Sequence, residues 1–339
     1  MLDKIGPGTF RYFLCFVVVL FHSTNLIAIG ELAVHVFFIL SGYWVMKMYK
    51  EKYMDFKHPL TSFWFSRLLR LLPIFYVTNI LLVLVSCLVM NITPTAFIDS
   101  FKPSIGFLFS HIFILGLTQT GQINPPSWSL DIEMQFYILV PVFFWIISKN
   151  KKRSMLLLVT GILFFSGFYM LHESWNLIPS VANYLCFFLA GVALYESGYH
   201  ASEKVSNLTV LISVFFVILT YSIPTLFENV ILNNALRING ILFRIIFDYV
   251  LAFLMIPFIS RNVRTKSTRW DRDLANLSYV TYLFHRVSMV PWAYYYAHLP
   301  LWDRMPSFII YLVATFIGSI IIYYIVDIPF ERLRKKIVS

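Results

Sequence analysis

Long apolar runs alternate with short polar stretches along almost the whole chain. They lie near 10–30, 32–49, 71–91, 130–148, 154–172, 181–196, 208–224, 240–260, 274–297 and 307–326. Most approach the ~20 residues that an α-helix needs to cross a bilayer. The pattern predicts an all-α, polytopic membrane helix bundle of about ten transmembrane spans. An eleventh apolar stretch, 105–118, is shorter. Composition agrees: 59% of the 339 residues are apolar and 13% are charged. That is about half the ~25% charge of a soluble globular protein. Mean hydropathy is +0.73. A soluble enzyme, a disordered chain and a disulfide scaffold are all excluded.

The net charge of +10 would suggest nucleic acid if the charges were spread over a surface. They are not. Lys47, Lys50, Lys52, Lys57, Arg67 and Arg70 cluster in one loop, and Lys149, Lys151, Lys152 and Arg153 in another. Arg261, Arg264, Lys266, Arg269 and Arg272 form a third group, and Arg332, Arg334, Lys335 and Lys336 a fourth. Basic clusters in short loops mark the cytoplasmic side of a membrane. Between the first two clusters the chain must therefore cross an even number of times. Segments 71–91 and 130–148 supply both crossings, so 105–118 is expected to be re-entrant or interfacial. Non-helical backbone at membrane depth is tolerated only against protein or a water-filled cavity, which makes this stretch a first pointer to a site. Ten spans place both termini in the cytoplasm.

Cys15, Cys87 and Cys186 sit in apolar runs without metal-ligand spacing and read as small packing residues. The first apolar stretch exceeds the ~7–15 residues of a signal-peptide core and lacks a small-residue cleavage site, so it is expected to be retained. There is no tandem repeat or long linker. Residues 1–339 are expected to form a single integral-membrane domain with no attached soluble domain.

Ionisable groups inside spans are expensive and usually face the bundle interior or a functional cavity. Arg11 and His22 are eleven residues apart, three helical turns plus ~20°, so they share one face at ~16 Å along the axis. Arg11 can be a snorkelling anchor and His22 an interhelical hydrogen-bonding group. Burial would favour the neutral imidazole, which can accept a proton or attack a carbonyl. In the stretch Phe37–Tyr43, Ser41 and Gly42 either let helices approach closely or leave room for a ligand chain. Arg67 and Arg70, one turn apart, suit a phosphate bidentately or simply orient the span.

In the stretch Pro125–Tyr137, the polar residues Ser129, Glu133 and Tyr137 recur every four positions into an apolar span, with Asp131 and Gln135 on nearly the opposite face. A membrane carboxylate such as Glu133 needs a cation, a proton or a polar ligand. His285 and Arg286 stand mid-span, while Arg244 and Asp248 have the spacing of a structural ion pair.

Taken together, these pieces resemble the acyltransferase-3 family of membrane-bound O-acyltransferases that modify bacterial surface glycans. The resemblance is carried by Arg11-x10-His22, Phe37–Tyr43, Arg67-x-x-Arg70 with Pro73, Trp128–Tyr137, Tyr282–His285 and Pro329–Arg332, in that order from about residue 6 to 335. It implies transfer of an acyl group, usually acetyl from acetyl-CoA, to a sugar hydroxyl. The acceptor would be a surface polysaccharide or its lipid-linked precursor, reached from the cytoplasmic (inner) membrane.

Arg67, Arg70 and Arg11 would meet the phosphates of CoA, with Ser41, Gly42 and Tyr43 beside the donor. His22 would act as general base or transient acyl carrier, with Glu133 orienting it or binding the sugar. Trp128, Ser129, Tyr137 and His285 are expected toward the acceptor, with membrane lipid as surroundings and no metal. The fused extracytoplasmic hydrolase-like domain of some relatives is not expected, since the chain ends eight residues after Glu331. A proton-coupled transporter is the competing class, because buried His, Arg and Glu also mark such carriers.

Overall fold

The computed structural model describes residues 5–24, 29–149, 151–174, 180–232, 235–238 and 241–338, and these are overwhelmingly helical. The chain runs through α1 (Pro7–Ser23), α2 (Gly30–Glu51), the long α3 (Pro59–Met90) and α4 (Pro94–Asp99). Two short helices follow, α5 (Ile105–Phe113) and α6 (Leu117–Thr120), before α7 (Trp128–Lys149), α8 (Lys151–Ser174), α9 (Val181–Ser197) and α10 (Glu203–Ser222). After α11 (Pro224–Leu226), the strands β1 (Arg237–Ile238) and β2 (Ile241–Leu242) pair antiparallel, Arg237 opposite Leu242. The remainder is α12 (Phe243–Leu254), α13 (Ile256–Asn262), α14 (Arg269–Tyr296), α15 (Leu301–Ile322) and α16 (Ile328–Val338).

Among the described residues five helical stretches are long and apolar enough to cross a membrane, or six if α12 and α13, bent by 41° at the break between them, make one span. The break at Met255 precedes Pro257, which has no N–H to continue the ladder. The expected count of about ten also draws on shorter apolar helices, among them α1 and α9. Large apolar side chains stand exposed along α10 (Leu208, Leu211, Phe215, Ile218) and α15 (Ile309, Ile310, Phe316, Ile317). Patches of that size rarely survive on a soluble monomer, whereas lipid solvates them. The chain is a helical membrane protein.

Two boundaries differ from the apolar pattern for local reasons. The run 10–30 breaks at Ser23, where the backbone leaves the helix and Thr24 turns extended at φ −135° and ψ 132°. Helix α3 starts twelve residues before its apolar run, so Arg67 and Arg70 lie well inside a helix. The side chains of the basic cluster 149–153 lie outside the described residues.

The chain divides into two compact units, Met1–Lys57 with Phe136–Ala275, and His58–Gln135 with Asn276–Ser339. In the first, α2 and α9 pack at van der Waals limits. A Cβ on Gly42 would stand 2.1 Å from the carbonyl oxygen of Phe188, and one on Gly191 would stand 2.0 Å from that of Ile39. Phe38 and Phe136 stack on Phe188 at 4.7 and 4.1 Å. In the second unit α16 packs on the start of α3. Arg334 bridges Glu331 through two nitrogens, at 2.9 and 2.6 Å, and donates to Ser66 Oγ at 2.8 Å.

Candidate functional site

Helix α1 carries Arg11 and His22 on one face of an otherwise apolar rod, both half-buried, with Leu14, Cys15, Val18 and Val19 buried between them. Eleven residues of rise separate them by ~16 Å. His22 stands in the last turn of the helix, its ring edge-on to Phe21 at 5.1 Å.

The start of α1 is held in an unusual way. Its N-cap is Gly6, which has no side chain to satisfy the free amides. Asp271 supplies that acceptor from the other end of the unit. Its carboxylate takes the amides of Gly8 and Thr9 at 3.1 and 2.8 Å, the Thr9 hydroxyl at 2.9 Å and the Ser267 hydroxyl at 2.6 Å. A Cβ on Gly6 would fall 2.0 Å from Asp271 Oδ1, and one on Gly8 would fall 1.6 Å from its backbone oxygen. The glycines exist to admit this residue. Burial opposes ionisation of Asp271, but the hydrogen bonds from Ser267, Thr9 and Gly8 outweigh it and hold the carboxyl below the usual range. Sequence reading passed over Asp271, although the Gly-Pro-Gly start of α1 signalled a close backbone approach.

In the stretch Phe37–Tyr43, Ser41, Gly42 and Tyr43 are all buried. The space left by the missing side chain of Gly42 is filled by the backbone of α9. His35 stacks on Phe187 at 4.3 Å. Arg244 does not pair with Asp248 as its spacing suggested; it donates instead to Glu31 at 2.5 Å.

The second unit gathers the stretch around Trp128 and the one around His285. Helix α5 ends after nine residues, Ile114 turns into the left-handed region at φ 54°, and Gly116 and Gly121 follow at φ 90° and 99°. Nine residues rise only ~14 Å, against a ~30 Å hydrocarbon core, so α5 is too short to span. The turn is anchored by Asp131, fully buried, whose carboxylate accepts from the amides of Gly116 and Thr118 at 2.8 and 2.9 Å. The Thr118 hydroxyl and Gln135 Nε2 complete its shell at 2.8 and 3.0 Å. The second polar stripe of α7 thus holds the turn.

On the first stripe, Ser129 is buried and shares a 2.8 Å hydrogen bond with the Tyr282 hydroxyl, which also donates to the carbonyl of Pro126 at 3.2 Å. Asn124 Nδ2 donates to the carbonyl of Leu283 at 3.0 Å. His285 is fully buried, 6.3 Å from the Tyr282 ring; Glu133 and Trp128 are half-buried, and Tyr137 is buried.

Arg67 is 6% exposed, its guanidinium 5.5 Å from the Phe63 ring centre. Arg70 is half-buried and donates to Asn276 Oδ1 at 3.4 Å. Among the described residues no three His, Cys, Asp or Glu side chains come together in a metal-binding group.

Three known proteins align with part of the chain. An acyltransferase of Streptomyces mycarofaciens, MdmB, is 29% identical over 145 residues, 42% of this chain and 35% of its own length. The peptidoglycan O-acetyltransferase OatA of Listeria monocytogenes is 29% identical over 140 residues, 38% of this chain and 22% of its own length. Regulator of hypoxia-inducible factor 1 of Caenorhabditis elegans is 30% identical over 142 residues, 40% of this chain and 27% of its own length. The chain thus spans about a third or less of the relatives it matches. No solved structure gives a significant match. The acyltransferase domain model, by contrast, matches continuously over residues 6–324, from the glycine start of α1 to the end of α15 and beyond, and the chain belongs to that family.

Proposed function

We propose that this chain is a bacterial O-acyltransferase of the cytoplasmic membrane, with both termini in the cytoplasm. It transfers acetyl from acetyl-CoA to a hydroxyl of a surface polysaccharide or its lipid-linked precursor. The observation that carries the reading is the face of α1 on which Arg11 and His22 stand ~16 Å apart in an apolar helix. The family match over residues 6–324 supports acyl transfer, and a relative named as a peptidoglycan O-acetyltransferase supports acetyl and a glycan.

In this mechanism His22 takes the proton from the sugar hydroxyl as its oxygen attacks the thioester carbonyl. The carbon–sulfur bond breaks, and the same proton passes to the departing thiolate, so that sugar ester and free CoA are the only products. A two-step variant places the acetyl group on the imidazole first. Arg67 and Arg70 recognise the CoA phosphates with planar, permanently charged groups. Arg11 supports the same donor, Ser41, Gly42 and Tyr43 lie on its side, and Glu133 orients the imidazole or binds the sugar. Trp128, Ser129, Tyr137 and His285 belong to the acceptor side.

The test is direct. Purified full-length protein in lipid nanodiscs is mixed with acetyl-labelled CoA and a panel of soluble saccharides, and label is counted in the sugar fraction. Label in a saccharide supports the reading. Absence of label, with proton-driven solute flux in proteoliposomes, would establish a carrier instead.

A further inference from the structure

The buried polar groups of α12 have no part in the mechanism above, and they form a cluster of their own. Arg244 Nη2 donates to Glu31 Oε1 at the start of α2. One turn along α12, Asp248 is 1% exposed, and neither of its carboxylate oxygens has a hydrogen-bond partner among the described residues. Arg244 Nε is orphaned in the same way. Arg244 and Asp248 share one face of α12 at i, i+4, and Glu31 holds the guanidinium, which brings the three side chains to one place. Two acceptors and one N–H donor therefore stand unsatisfied at one place, in a protein interior where such atoms are normally paired.

Their chemistry selects what fits. An anion is repelled by two carboxylates facing one guanidinium. A bare cation satisfies carboxylate oxygens but cannot accept from Arg244 Nε. An acyl chain satisfies none of the three. Hydroxyl groups do both, donating to Asp248 and accepting from Arg244. The orphaned atoms themselves are covered, while Glu31 and Arg244 remain partly exposed, at 36% and 18% of their side chains. Behind it the packing is closed, because His35, one turn after Glu31, stacks on Phe187, and Phe187 lies 5.3 Å from the Tyr249 ring.

The position is also informative. A Cβ on Gly30 would stand 2.3 Å from the Phe21 ring, so α1 and α2 close on each other where His22 and Glu31 are the next residues. We propose that Glu31, Arg244 and Asp248 form a hydroxyl-binding subsite for a neutral sugar, at the same end of the α1–α2 hairpin as His22. Its assignment to the acceptor rests on the acyl-transfer reading; its binding chemistry does not.

The experiment therefore measures binding apart from turnover. Full-length protein is titrated calorimetrically with glucose, galactose, rhamnose and N-acetylglucosamine, as wild type, Asp248→Asn and Glu31→Gln. At least one monosaccharide should bind wild type, and both variants should bind it about tenfold or more weakly, the scale of a lost charged hydrogen bond. Melting temperature and CoA binding should be unchanged in Glu31→Gln, whose side chain is partly exposed, so this variant decides the matter if Asp248→Asn fails to fold. Where a saccharide accepts acetyl, its KM should rise by the same factor with the donor KM within about twofold. Binding lost in the variants while wild type transfers no acetyl would leave the subsite standing and sink the acyl-transfer reading. Saccharide affinity equal in all three proteins, no binding by wild type, or heat from sodium chloride alone would overturn the subsite and leave ordered water or a cation there.

Discussion

Asp271 accepts the amide of Thr9 at 2.8 Å across 262 residues of chain, and so caps a helix whose own sequence provides no cap. The bond fixes where α1 begins, and with it the depth of Arg11 and His22. Asp271→Asn turns an NH2 group toward donors that both carboxylate oxygens now accept, and should lower stability by about 1–2 kcal/mol, the scale of one lost hydrogen bond. Because folding holds this carboxyl below its ordinary value, its contribution is complete above the unfolded value near ~3.9 and fades as pH falls through the folded one. Thermal unfolding of both proteins in detergent should give curves that separate at neutral pH and converge in acid. A gap that persists at the acid end would mean that Asp271 acts by packing alone.

Asp131 does for the short-helix segment what Asp271 does for α1. Its four donors come from Gly116, Thr118 and Gln135, and it is fully buried. Asp131→Ala strands buried donors, and each charged hydrogen bond is worth about 1.5–3 kcal/mol. The variant should melt several degrees lower and become sensitive to protease within residues 114–124. Unchanged protease resistance would show that the turn holds without it.

Much of this was legible in the chain. The apolar runs of α2, α7 and α9 mark their helices closely, and the shortness of 105–118 signals its break into the short helices α5 and α6. Other features were hidden because they depend on partners distant in sequence. The spacing of Arg244 and Asp248 promised an ion pair, yet Glu31 on another helix takes the guanidinium. Gly42 gave two readings until α9 was seen against it. Asp131 and Glu133 looked alike as membrane carboxylates; only the turn that folds onto Asp131 separates an anchoring group from one left half-buried.

The proposed topology places the polar stretch after α6 outside the cell. Gln122→Cys, in a background without native cysteines, should react with an impermeant maleimide applied to intact cells. Reaction only after the membrane is breached would mean that residues 105–118 cross it, and the parity behind ten spans would fail.

Arg67 and Arg70 differ in surroundings, and that difference is testable. Arg70 is half-buried and donates to Asn276 Oδ1, whereas Arg67 is nearly buried beside Phe63. Arg67→Ala should raise the donor KM about tenfold or more while leaving the acceptor KM in place. Arg67→Lys should restore little of it, because an ammonium cannot reproduce the planar fork. A donor KM unchanged in the folded double alanine variant would reduce the pair to a topology anchor.

The last prediction concerns His22. It occupies the final turn of an apolar helix, on the face of Arg11. A general base or nucleophile removed from such a position should cost at least ~10²-fold in turnover. His22→Ala should therefore abolish acetyl transfer while CoA still binds and the protein still inserts. Glu133→Gln should be damaged less if the carboxylate only orients the imidazole, since an amide keeps part of its hydrogen bonding. If the two act as one unit, the double variant should be scarcely worse than His22→Ala, because once the base is gone nothing remains for Glu133 to assist. Near-normal turnover in His22→Ala beside a dead Glu133→Gln would reverse the assignment. The carboxylate would then be the base, and the imidazole would return to an interhelical hydrogen bond.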